Sequence, residues 1–115
     1  MKKVGLIDYY LDEWHANNYP RLLHDVSEGR YEAFCAYAKI DSPIGGMTSR
    51  EWSKKYNVPL VDSIEEVIEA CDVLIVLSPD NPEMHEELTD LPLKSGKRVY
   101  IDKTFAPDKE AALRM

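Results

Sequence analysis

The chain has 115 residues, 44% hydrophobic and 30% charged, which is the size and composition of one globular domain around one core. Its 14 Lys and Arg against 21 Asp and Glu give a net charge of −7. That balance argues against nucleic-acid binding, because no basic excess exists to displace counterions, but it leaves room for one anion held by backbone N–H groups. No apolar run approaches about 18 residues and the N-terminal one is too short for a signal peptide, so no membrane partner and a cytoplasmic location are expected. Cys35 and Cys71 both lie in apolar stretches and read as buried free thiols.

The predicted elements alternate. Val4 to Ile7 is a short apolar strand. A helix follows, with Tyr19, Leu22, Leu23 and Val26 at helical spacing and Gly29 at the stop position; Pro20 predicts a break or kink near Tyr19. Tyr31 to Ala38 is the second strand. Thr48-x-x-Glu51 is a capping box opening a helix with Trp52 and Tyr56, and Pro59-Leu60-Val61 reads as a short edge strand. Ser63-x-x-Glu66 is a second capping box, leading a helix with Ile64, Val67, Ile68 and Cys71 on one face. Asp72 to Ser78 is the clearest strand. Asn81-Pro82 predicts N-cap and N1 of a helix carrying Met84, Leu88 and Leu91, distorted by Pro92 and closed by Gly96. Arg98 to Asp102 is a further strand, and Pro107 starts a last helix over 108–115.

Continuous apolar strands alternating with helices imply βαβ units. The expected fold is α/β, a Rossmann-like three-layer sandwich with a mainly parallel five-stranded sheet of order 3-2-1-4-5 and helices on both faces. Burial should include Val4, Leu6, Val73, Ile75, Leu77, Val99 and Ile101. Such sheets bind ligands at the C-terminal ends of their strands, which selects the residues just after each one.

After the first strand stand Asp8, Tyr9, Tyr10 and Leu11, then Asp12 and Glu13. A dinucleotide fold places GxGxxG there, and this loop has no glycine after Gly5. Its carboxylates oppose a phosphate; alternatively they form a solvated acidic loop. Asp41 after the second strand suits a ribose diol, and Lys39 beside it a 2′-phosphate; both are equally ordinary surface charges. Ser78-Pro79-Asp80-Asn81 leads into a helix N-terminus able to meet an anion or a polar ligand edge, with His85 one turn on. His15 and His24 lack ligand-spaced partners, so no metal is expected. Lys103 directly follows a buried strand, where its ammonium can donate to a reacting oxygen with Asp102 beside it.

These residues carry a family resemblance. Asp72-Val73-Leu74-Ile75-Val76-Leu77-Ser78-Pro79 resembles the "DAVVVATP" strand, and Lys94-Ser95-Gly96-Lys97-Arg98-Val99-Tyr100-Ile101-Asp102-Lys103 the "KAGKHVLCEK" segment, of the Gfo/Idh/MocA family of NAD(P)-dependent sugar and cyclitol oxidoreductases. The family's Glu-Lys-Pro motif is Asp102-Lys103-Thr104 here. The resemblance implies that Lys103 hydrogen-bonds the substrate hydroxyl and serves in proton relay. It implies a dinucleotide, NAD or NADP, along Asp8, Tyr9, Tyr10, Leu11, Asp41, Ser78, Pro79, Asp80, Asn81, His85 and Asp102, with a small sugar-like substrate. The glycine fingerprint and the family's second domain are absent. The 115 residues are therefore expected to be one domain truncated from a longer, homo-oligomeric two-domain oxidoreductase, inactive alone. The alternative is a Rossmann-like domain that has lost nucleotide binding and acts as an interaction module. A phospho-acceptor receiver domain fits the length, but Ser78 stands where its acceptor Asp is required.

Overall fold

A computed structural model describes all 115 residues. The strands are β1 (Lys2–Asp8), β2 (Tyr31–Ala38), β3 (Val73–Val76) and β4 (Arg98–Ile101); the helices are α1 (Trp14–Ser27), α2 (Ser49–Tyr56), α3 (Ile64–Ala70), α4 (His85–Lys94) and α5 (Lys109–Arg114). The sheet is wholly parallel, in the order β2-β1-β3-β4. It has four strands where five were expected. Pro59-Leu60-Val61 contributes only one bridge, Leu60 to Ala36, on the outer edge of β2. The place in the order is the anticipated one; the strand is missing because Pro59 has no N–H to extend a ladder.

The pleat divides the core. Val4, Leu6, Ile75 and Leu77 face α1 and α2, meeting Ala16 and the fully buried Trp52. Ile7, Leu74 and Val76 face the other way, onto Val67 of α3 and Leu88 of α4. Gly5 shares this second side, and a Cβ there would come within 2.2 Å of Val67 Cγ1, so only glycine lets α3 settle on β1. Cys35 and Cys71 are free, buried thiols with their sulfurs 3.5 Å apart. Val73, Val99 and Ile101, expected in the core, are only half-buried. The last two belong to β4, the open sheet edge, and on the α1 side no helix covers β3 and β4. An apolar groove of about 570 Å³ runs there, lined by Val4, Tyr19, Leu23, Val73, Ile75 and Tyr100.

Local signals account for most helix ends. The Thr48–Glu51 capping box is reciprocal. Ser63 accepts from Glu66 N–H, while the Glu66 carboxylate turns back to Asp62 N–H. Two expectations fail. Asn81 makes no cap; Pro82–Met84 form a 3-10 turn and α4 begins at His85. Nor does Pro20 divide α1, which runs unbroken from Trp14 to Ser27. The missing Pro20 N–H frees only the carbonyl of Ala16 in the first turns, and packing of Tyr19 and Leu23 on the sheet holds the helix together. No helix is long and apolar enough to cross a membrane.

Candidate functional site

The C-terminal ends of β1, β3 and β4 meet in one crevice. Asp8 ends β1 and is 1% exposed. Its Oδ1 accepts from Tyr9 N–H (2.8 Å) and Ser78 N–H (2.9 Å), while Oδ2 is buried with no partner. Asp102, just past β4, is also buried, and its N–H donates to Val76 (2.9 Å). Between them stands Glu13, the N-cap of α1, whose carboxylate accepts from Ala16 N–H. His15 joins the two: its Nδ1 lies 3.3 Å from Glu13 and its Nε2 3.5 Å from Asp102. The rings of Trp14 and Tyr19 meet the imidazole edge-on, at 5.4 and 5.7 Å. This group has no metal-binding geometry.

Burial dominates the electrostatics. Desolvation, with Glu13 nearby, holds the Asp8 carboxyl well above the ordinary range. Glu13 is pushed up to about 7, chiefly by burial, against the opposing pull of the Ala16 N–H and His15. Tyr10 is raised by burial and by the charge of Asp80.

The sequence-selected residues divide into three groups. Asp8, Ser78 and Asp102 are buried at the mouth, with Tyr9, Pro79 and Asn81 half-buried around it and Asp80 and Lys103 exposed. Ser78 takes a left-handed φ of 55°, and its hydroxyl donates to the Asn81 carbonyl at 2.9 Å. Tyr10 is 9% and Leu11 1% exposed; Leu11 belongs to the core, so it offers a ligand no surface. His85 is likewise internal, with Nδ1 2.8 Å from the Phe105 carbonyl and Nε2 against the Leu77 carbonyl, and it pins the end of β3 to the loop after β4. Asp41 is exposed and accepts from Ser49 N–H at 2.8 Å. Lys39 is paired with Glu87 at 2.5 Å.

Glu13 and His15 were missed as members of the site. The spacing held a signal: counting GxGxxG from Asp8 puts Asp8, Tyr10 and Glu13 in the three glycine slots. The fit to a dinucleotide is therefore divided. At the ends of β3 and β4, Asp80 and Lys103 are exposed and present a free polar surface, whereas at α1 a carboxylate already takes the helix N-terminus, the place where an anion is received.

The sequence model of an oxidoreductase family with an NAD-binding Rossmann fold, Gfo/Idh/MocA, matches residues 25–115. The chain belongs to that family. The match begins inside α1, beyond the glycine-free loop. No curated protein matches. Among solved structures, the Gfo/Idh/MocA chain is similar in fold to a dehydrogenase (MviM) from Clostridium difficile, at 24% identity and a TM-score of 0.69, over 96% of this chain and 33% of that one. It is also similar to the WlbA dehydrogenase from Bordetella pertussis, solved with NADH and UDP-GlcNAcA (15% identity, TM-score 0.73, 97% and 31%). Biliverdin reductase from Synechocystis sp. PCC 6803, solved with biliverdin and NADP+, compares similarly (13%, 0.73, 97% and 32%). The chain thus spans about a third of the length of these neighbours.

Proposed function

We propose that this chain is the cofactor-binding domain of a longer NAD(P)-dependent oxidoreductase that interconverts an alcohol and a carbonyl on a sugar-like or cyclitol substrate. The observation that carries the reading is Lys103, exposed directly after β4 at the ligand-binding edge and inside the family match. When bound, the nicotinamide supplies the hydride chemistry. The chain's own residues position it: the Ser78–Asn81 turn borders the crevice, and Lys103 donates a hydrogen bond or proton to the reacting oxygen. Asp8, Tyr9, Tyr10, Asp41 and Asp102 are further proposed contacts. The second domain of such an enzyme encloses the substrate, so these 115 residues alone are expected to show no turnover. A reducing, cytoplasmic setting suits the free Cys35 and Cys71.

In the longest natural form of the protein, Lys103→Ala should lower turnover by about a hundredfold or more and change cofactor affinity by less than about threefold. Intact turnover would remove the role given to Lys103. A second reading, a Rossmann-like domain that no longer binds nucleotide, is favoured by the Glu13 carboxylate at the α1 N-terminus. Titration of NADH fluorescence separates the two.

A further inference from the structure

Three main-chain N–H groups converge on the mouth of the crevice, and each already serves a carboxylate. Tyr9 and Ser78 donate to Asp8, and Ala16 donates to Glu13. A fourth, Met47 N–H, donates to Asp12 at 2.8 Å. In a glycine turn such donors are left for the ligand's diphosphate. Here the protein supplies its own anions.

We propose that Glu13 is a resident anion seated in the diphosphate's place at α1, so that a dinucleotide binds only with uptake of one proton by this carboxylate. The proposal rests on the reading of the chain as a dinucleotide-binding domain. The balance is simple: the ionised Glu13 carboxylate gains a proton from solvent as the dinucleotide enters, and the helix N–H is released to a phosphate oxygen.

Three features support it beyond the helix end itself. Asp8 Oδ2 is buried and unpartnered beside Glu13, so the mouth holds a carboxyl oxygen that no protein donor satisfies and whose ionisation burial opposes. The groups facing Glu13 offer little countercharge. They are Asp8 from β1, Tyr10 from the loop, His15 and Tyr19 from α1, and Asp102 just past β4. Among these only His15 can be cationic, and it is shared with Asp102. Finally, Glu13 titrates near neutrality, at about 7, so the proton is available at physiological pH.

The test is calorimetric titration of the full chain with NAD+ from pH 6 to 8.5, in buffers of low and high ionisation enthalpy. Wild-type affinity should weaken at least about tenfold across that range, with close to one proton taken up per NAD+ bound near pH 8. Glu13→Gln keeps an acceptor for Ala16 N–H, so it should fold, bind at the wild type's acid-limit affinity at every pH, and take up no proton. His15→Gln should keep the proton uptake but move the pH dependence upward, because the imidazole that favours ionised Glu13 is gone. A pH-independent wild type overturns the proposal and leaves the cofactor reading standing. Proton uptake that survives Glu13→Gln assigns it to another group and also overturns it. Absence of binding by every form at every pH overturns both.

Discussion

The turn after β1 and the turn after β3 lie side by side at one sheet edge, joined by the Ser78 N–H bond to Asp8. The first is built from acids: Asp8 ends the strand and Glu13 caps the helix, both buried. The second is built from main chain and one internal imidazole, with His85 bound to the Leu77 and Phe105 carbonyls and Ser78 to Asn81. The β3 turn falls within the family match and the β1 loop outside it. The contrast shows that two loops of one crevice can serve different ends. The β3 turn stabilises the domain outright. The β1 turn stores buried charge that costs stability whenever it is ionised.

The comparison can be broken from below, at the shared scaffold, with the largest effect. Gly5→Ala drives a methyl into Val67 and should destabilise by about 3 kcal/mol or more, loosening both turns together; urea unfolding measures it. Next comes His85→Ala, which empties a fully buried site and removes the imidazole N–H from between the Leu77 and Phe105 carbonyls. It should lose about 2–3 kcal/mol by the same measurement, with no change in pH dependence between 5 and 8 attributable to the β1 turn.

The acid turn predicts a pH profile. Unfolded, Glu13 releases its proton near the ordinary 4.5; folded, it keeps it to about 7. Between those values the folded state holds more protons than the unfolded one, so stability falls as pH rises, by about 3 kcal/mol from this residue. Asp8, raised for the same reason, adds in the same direction. Melting temperatures from pH 4.5 to 7.5 should decline accordingly, and Glu13→Gln should flatten part of the slope. The smallest effect sharpens the contrast most. Asp8→Asn retains an acceptor for Tyr9 and Ser78 and cannot ionise, so relative to wild type it should gain stability, by about 1 kcal/mol, as pH is raised from 4.5 to 8. A loss there would show that the ionised carboxylate belongs to the fold.

The parallel sheet was legible because β1 and β3 are apolar on both faces, and α2 and α3 because Thr48 and Ser63 announce them. Pro59–Val61 was over-read: three residues with a proline make a bridge, not a strand. Pro20 was over-read as well, since a local breaking signal yields to a helix face packed on a sheet. The site was harder. Glu is not a favoured N-cap, so nothing local marked Glu13. His15 gained meaning only from Asp102, which is remote in sequence. Burial of a carboxylate is a tertiary property, and composition shows an acidic loop where the fold shows withheld charge. Lys103 was singled out by its place after a buried strand, and the family likeness added the role proposed for it.

The central position of β1 also orders assembly in time. As the polypeptide emerges, β1 pairs with β2 once Ala38 is out, but its other neighbour arrives with Val73 and the last wall of the crevice with Asp102. Contacts such as Lys3 to Asp72 and Asp8 to Ser78 close long loops, and such closures are slow. The burial of Asp8 and Glu13 thus depends on segments that lie 65 or more residues further along the chain, at Ser78 and Asp102.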